Sequence, residues 1–266
     1  RKKNWNWSVG FNLSHNKNML RKTYNGEDLN DKVLGRPVYG IYTFKDEGIV
    51  QKEEDIPMYP NASGKQIPLY FQSINNPLRV GGRKIKDQNY DGVIDDKDLY
   101  YAGSTLPAVY GGLNSHLEWK GLSFDVLFSY TISRKVMNMY KNSAFTFTKD
   151  FGVIMNYFHA NDFWTTSNRD AKYPSLEFAD KDYVGQFDGN VDSNIENISF
   201  LRLKQLVIGY QLPKNWLKGS FIKDANIYLS GENLFLITNY SGVDPEVINP
   251  YSGKDDGTQY PLNRKV

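Results

Sequence analysis

The densest run of hard oxygen donors in the chain is Asp87-Gln88-Asn89-Tyr90-Asp91-Gly92-Val93-Ile94-Asp95-Asp96-Lys97-Asp98. A hard divalent cation such as Ca2+ takes roughly six to eight oxygens, and alternate side chains of a tight loop can all turn toward one centre. Asp87, Asn89 and Asp91 stand at loop positions 1, 3 and 5, and Gly92 at position 6 permits the sharp turn. Val93 at position 7 offers its backbone carbonyl, Ile94 at 8 pins the loop to its support, and Asp98 closes it at 12. Calcium sensors carry a bidentate Glu at that last position, so the shorter Asp98 has to be brought closer. The competing reading is an Asp-rich surface turn without an ion, because Asn-x-Asp-Gly turns well unaided. Pro77, Gly81 and Gly82 precede the loop and Gly103 and Pro107 follow it, so no paired helices flank it. The pattern predicts a structural calcium clamp rather than a sensor.

Other constellations carry less. His15, His116 and His159 are scattered, without ligand spacing or triad context, and the cysteine count is zero. That count excludes a disulfide scaffold, Cys-ligated zinc or iron–sulfur clusters, and a cysteine nucleophile. No nucleophile elbow, phosphate-binding loop or dinucleotide fingerprint occurs. No catalytic residue is assigned, and the chain reads as a non-enzyme. Tyr157, Phe158, Phe163, Trp164 and Tyr173, with Asn156, Asn161 and Asp162, suit sugar or peptide contact, although packing within their own loop is the preferred reading.

The elements that must position these residues are strands. Aromatics make up 15% of the 266 residues, yet mean hydropathy is only −0.57. Rings with a polar handle favour a boundary between water and an apolar phase. The 32 basic against 30 acidic residues leave a net charge of +2, no field for nucleic acid. No stretch is long and apolar enough for a transmembrane helix, but strands of a transmembrane β-barrel alternate and stay hydropathically quiet. Trp5, Trp7, Val9, Phe11 and Leu13 alternate with Asn6, Ser8, Gly10, Asn12 and Ser14. A hairpin follows, Pro107–Glu118 and Leu122–Ile132 around Trp119-Lys120-Gly121, with Leu122, Phe124, Val126, Phe128, Tyr130 and Ile132 on one face. A second hairpin pairs Ser199–Leu212 with Ala225–Leu236, where Gly231 reads as a bulge or close-approach site. Arg202 and Lys204 share the parity of Phe200, Leu206 and Ile208, so the lumen face of that strand's first half is unassigned. Long connections at Asn25–Tyr101, Ser133–Ile198 and Asn239–Tyr260 contrast with short turns, as in outer-membrane barrels. The runner-up architecture is a soluble calcium-binding β-sandwich, a carbohydrate-binding module, which would bury Trp5, Trp7, Phe124, Val126 and Phe128 between two layers.

Several blocks resemble the SusC/RagA-like family of TonB-dependent outer-membrane transporters of Bacteroidota. They are Gly40-Ile41-Tyr42 with Gly48–Glu54, the Asp87–Asp95 run followed by Gly103 and Pro107, Ser199–Leu206 with Gly209–Pro213, and, most closely, Ser230–Glu246. The resemblance implies the C-terminal part of an all-β, antiparallel transmembrane barrel with 22 strands and long extracellular loops, residues 1–266 being about its last third. The plug and the N-terminal barrel strands are then expected upstream, with the remainder of the barrel as partner and the last strand cut short after Tyr260. The implied function is energised import of a large nutrient, glycan or peptide, across the outer membrane of a Gram-negative cell. A SusD-like surface lipoprotein would close over the substrate, TonB would act through the plug, and the strands would face the lipid bilayer. No substrate-binding residue follows from the resemblance.

Overall fold

The computed structural model describes residues 5–29, 32–139, 159–179, 190–255 and 259–266. Five long strands form one antiparallel sheet in chain order: β1 (Trp5–Ser14), β2 (Val109–Trp119), β3 (Leu122–Asn138), β4 (Ile195–Gln211) and β5 (Asn226–Thr238). Between β2 and β3 the chain reverses at Lys120 and Gly121, both with positive φ (49° and 88°), the tight turn whose twist matches paired strands. Past β5, Glu232 pairs antiparallel with Lys265, so the final residues begin a further ladder.

Register sorts the side chains. One face carries the rows Trp7–Leu117–Phe124–Ile208–Leu229 and Phe11–Leu113–Phe128–Leu203–Phe235. The opposite face carries Ser8–His116–Asp125–Val207–Ser230 and Asn12–Gly112–Ser129–Arg202–Leu236. Trp7, Phe11 and Leu229 on the apolar face are 58–63% exposed, and the other sheets among the described residues are two-stranded pairs beside the connections. The expected alternation is therefore present across five strands, and it is the pattern of a barrel wall with lipid outside and water inside.

Two bulges decide where the charges go. The ladder between β3 and β4 jumps from Leu127↔Gln205 to Phe128↔Leu203, so Lys204 is the extra residue. A bulge switches parity downstream of itself. Leu203 and Leu201 thus join the apolar face while Arg202 and Phe200 turn to the polar one, which resolves the strand's ambiguous first half. On β5 the matching irregularity sits at Asn233, with φ 52°, rather than at Gly231. The second bulge is at Ser133 on β3, φ 54°, between Thr131↔Phe200 and Arg134↔Ile198. It turns Arg134 and Val136 toward the polar side.

β3 and β4 are each 17 residues long, exceeding the expected ends at Ile132 and Ser199. Their extra length is covered rather than lipid-facing: Val136 and Ile198 pack with Tyr240 and Ile248 from the connection after β5. The β1–β2 connection is likewise folded. Short pairs Gly40–Thr43/Tyr100–Ser104 and Asp46–Ile49/Arg83–Ile85 frame a core of Val50, Ile56, Leu69, Phe71, Leu78, Ile85, Ile94 and Val191. Tyr70–Phe71 runs parallel to Val93–Ile94, which seats the Asp-rich loop on this core.

Candidate functional site

Ile94 is 2% exposed, in the pinning role its position predicts. The loop ahead of it is laced by its own side chains. Asp87 accepts the N–H groups of Tyr90 (2.6 Å) and Gly92 (2.9 Å). Asn89 Oδ1 accepts from Asp91 N at 3.0 Å, and Asp91 Oδ1 accepts from Val93 N at 3.0 Å. Asp98 is fully buried and accepts from Gln88 N (2.7 Å) and Asp95 N (2.9 Å), within a capping box. Gly92 has φ +85° and a Cβ there would lie 3.0 Å from Tyr59, so both backbone angle and space require glycine. Burial raises the Asp98 carboxyl above its usual range and outweighs its backbone hydrogen bonds. Burial and the hydrogen bond to Asp87 push the Tyr59 phenol up to about 12.

Asp87 and Asp98 are buried whereas Asn89 and Asp91 are exposed, and the side-chain oxygens of all four are hard donors. A carboxylate oxygen that takes one N–H keeps a second lone pair for a cation. Lys97 Nζ, however, already stands 3.8 Å from Asp91 and 3.5 Å from Asp95. Among the described residues no three His, Cys, Asp or Glu side chains group as a metal-ligand set. The loop therefore closes on its own hydrogen bonds, and an ion at Asp87, Asn89, Asp91, Val93 and Asp98 would add to a turn already made.

Phe163, Trp164 and Tyr173 are buried; Phe163 meets Tyr173 within the loop, whereas Trp164 packs on the β1–β2 connection. Trp164 covers Gly81, where a Cβ would lie 2.6 Å from the indole, and its Nε1 donates to Gln51 at 3.0 Å. Tyr157, Phe158 and Asn156 lie outside the described residues. Nearby, Asp192 joins three segments: Lys45 Nζ and the Tyr100 hydroxyl each lie 2.6 Å away, and Asp46 N donates at 2.9 Å. Burial alone would raise the Asp192 carboxyl; Lys45, Tyr100 and the Asp46 N–H together bring it below its usual range.

On the polar face of the wall, His116 Nδ1 is 2.5 Å from Asp125 and Nε2 is 3.4 Å from Glu118. Higher up, the connection after β5 folds against the same face. Arg202 meets Asp244 at 2.5 Å, both about 3% exposed, and its Nε lies 2.7 Å from Glu246, close as an ion pair though out of line for a hydrogen bond. Lys204 also pairs with Glu246. Arg134 donates to the carbonyls of Thr105 (2.9 Å), Pro245 (3.4 Å) and Ile248 (3.0 Å). Sequence reasoning did not single out these arginines as site residues. The available signal was a cation at apolar parity inside a strand, which demands a bulge.

No protein-family model matches the chain. Curated relatives do. It is 28% identical over 276 residues to the TonB-dependent receptor P26 of Formosa agariphila, covering 99% of this chain and 26% of the relative. It is 25% identical over 258 residues to the TonB-dependent receptor SusC of Bacteroides thetaiotaomicron, covering 94% and 23%. The chain thus spans about a quarter of the length of these relatives. A structure of the RagAB peptide transporter superposes with a TM-score of 0.66 at 22% identity, over 99% of this chain and 27% of the other. The same importer in its open-open state superposes with a TM-score of 0.60 at 25% identity, over 92% and 24%.

Proposed function

We infer that this chain, SusC/RagA-like in sequence and part of an outer-membrane β-barrel in fold, serves as wall and loop material of a TonB-dependent importer. Its cargo in this reading is a large nutrient, glycan or peptide. A SusD-like lipoprotein would cap the loop side, and TonB would act through the plug of the full-length protein. The observation that carries the reading is the two-faced sheet: a continuous apolar surface on one side, and a polar surface with His116, Asp125, Glu118 and Arg202 on the other. A soluble sandwich would hide the first surface under a second layer, so the exposure of Trp5 and Trp7 weighs against it. The curated relatives carry receptor names and the superposed structure is of a peptide transporter, which supports transport over catalysis.

The test is uptake by cells carrying the full-length protein. Fluorescently labelled oligosaccharides and peptides are expected to accumulate from one of the two classes, and only when TonB is present. Accumulation that survives loss of TonB would overturn the reading.

Within it, we read the Asp87–Asp98 loop as a calcium-strengthened clamp that holds a rigid surface at the seam with the lid lipoprotein. Calcium titration should raise the loop's protection from hydrogen exchange, and Asp87→Ala with Asp91→Ala should lower both protection and lid affinity. Unchanged loop order and lid affinity in that variant would refute the clamp.

A further inference from the structure

Arg134 is the one arginine on β3, and it is 6% exposed. A guanidinium has five N–H donors, and three are spent on the carbonyls of Thr105, Pro245 and Ile248, leaving two. Those partners are neutral. No carboxylate among the described residues stands within ion-pair distance of it, whereas the neighbouring Arg202 has two. Glu246 is shared by Arg202 and Lys204, Asp244 is taken by Arg202, and Asp255 takes the Tyr240 hydroxyl. Glu196, the remaining carboxylate beside Tyr240, is engaged by Asn138 and Ser241, so Arg134 has no ion pair of its own among the described residues. A buried cation without a counter-ion is costly and marks a place where an anion is expected.

The Ser133 bulge is what points this cation inward; without it Arg134 would share the lipid-facing parity of Ile132. Arg134 there borders a cavity of about 380 Å³ on the polar face, at the junction of wall and loops. Pro107, Tyr110, Phe200 and Pro250 give the cavity apolar and aromatic sides, and Glu246, whose carboxylate is held by Arg202 and Lys204, also lines it. Ser129 adds a buried hydroxyl that makes no hydrogen bond. The volume suits a small group rather than a folded partner.

We propose that this cavity is a cargo subsite that takes a carboxylate carried on a small side chain or ring, as at a peptide C-terminus or on an acidic sugar. Arg134 meets the carboxylate, Ser129 donates to it, and Tyr110 and Phe200 pack the attached group. The inference rests on the import reading for its orientation toward the lumen.

The test uses equilibrium binding to the purified full-length protein in detergent, which requires no transport. One probe is acetylated alanyl-alanyl-phenylalanine with a free C-terminus, compared with its C-terminal amide; the other is trigalacturonate. A free acid should bind about tenfold or more tightly than its neutral counterpart, and Arg134→Gln should erase the difference. A peptide preference and a galacturonate preference each support the site and identify which carboxylate source it accepts. Because Arg134→Gln also strands three carbonyls, Thr131→Phe serves as a second variant: it fills the cavity and leaves those hydrogen bonds intact, and should abolish binding of either acid. Equal binding of acid and amide together with no galacturonate binding, or a preference that persists in both variants, overturns the proposal. Uptake without Arg134 dependence would sink the subsite alone; Arg134-dependent binding without TonB-dependent uptake would sink the import reading alone.

Discussion

The guanidinium of Arg202 on β4 lies 2.5 Å from the carboxylate of Asp244, with both side chains about 3% exposed. This contact between residues 42 apart in the chain ties two sequence blocks, Ser199–Leu206 and Ser230–Glu246, together. Removing one partner leaves an uncompensated buried charge, which typically costs about 3–5 kcal/mol. Asp244→Ala and Arg202→Ala are each expected to lower the thermal midpoint of the detergent-solubilised barrel strongly. Arg202→Met with Asp244→Leu should recover most of the loss. A double variant as unstable as the sum of the singles would show that the pair does more than neutralise itself.

Charge placed on the two faces should behave oppositely. Phe124 belongs to the apolar row and Asp125 to the polar one. Phe128→Arg, on the same face as Phe124 and farther along the strand from the β2–β3 turn, should cost about 2–4 kcal/mol, while Asp125→Asn should cost far less. Refolding yield into lipid vesicles, read by heat-modifiable gel mobility, separates the two. Similar losses for both would contradict the assignment of faces.

Deleting Lys204 removes the extra residue between Leu203 and Gln205. Leu203 would then directly precede Gln205 and still pair with Phe128, so Arg202 stays opposite Ser129 on the polar face; deleting Leu203 as well would pair Arg202 with Phe128 and carry it to the lipid side. The double deletion of Leu203 and Lys204 is expected to abolish membrane assembly, whereas deletion of Lys204 alone and Lys204→Gln should both assemble. Normal assembly of the double deletion would mean that the residue count in this segment does not control the face of Arg202.

Asp192 yields a pH dependence. Its folded carboxyl sits below the usual range despite burial, because Lys45, Tyr100 and Asp46 N favour the charged form. A carboxyl with a depressed folded pKa contributes stability that is present above its unfolded value, near 3.8, and is lost as pH falls through the lower folded value. Hydrogen exchange in the segment around Asp46 should therefore accelerate as pH drops below about 4, beyond the intrinsic trend, and Asp192→Asn should flatten that response. A wild-type profile identical to the variant's would remove Asp192 as the cause.

Much was legible from residue order alone because strand physics is local. Alternation at Trp5–Ser14 and Leu122–Ile132 needs only the two-residue period of a pleated strand, and Ile94 as an anchor needs only its offset from Gly92. The charge-bearing halves of β3 and β4 were not legible, because a bulge changes parity without changing composition. Arg202 read as a misfit until its partner on β3 counted one residue fewer.

From its sequence the chain specifies an antiparallel wall with one oily face, a turn-prone acidic loop, and family blocks in order. Only the tertiary structure decided which residues of the long connections form a core of their own, and that Asp244 and Glu246 return to meet Arg202. Those contacts join positions far apart in the chain, and nothing local encodes a distance across a barrel wall. They arise because a buried cation must find neutralising oxygens wherever folding brings them.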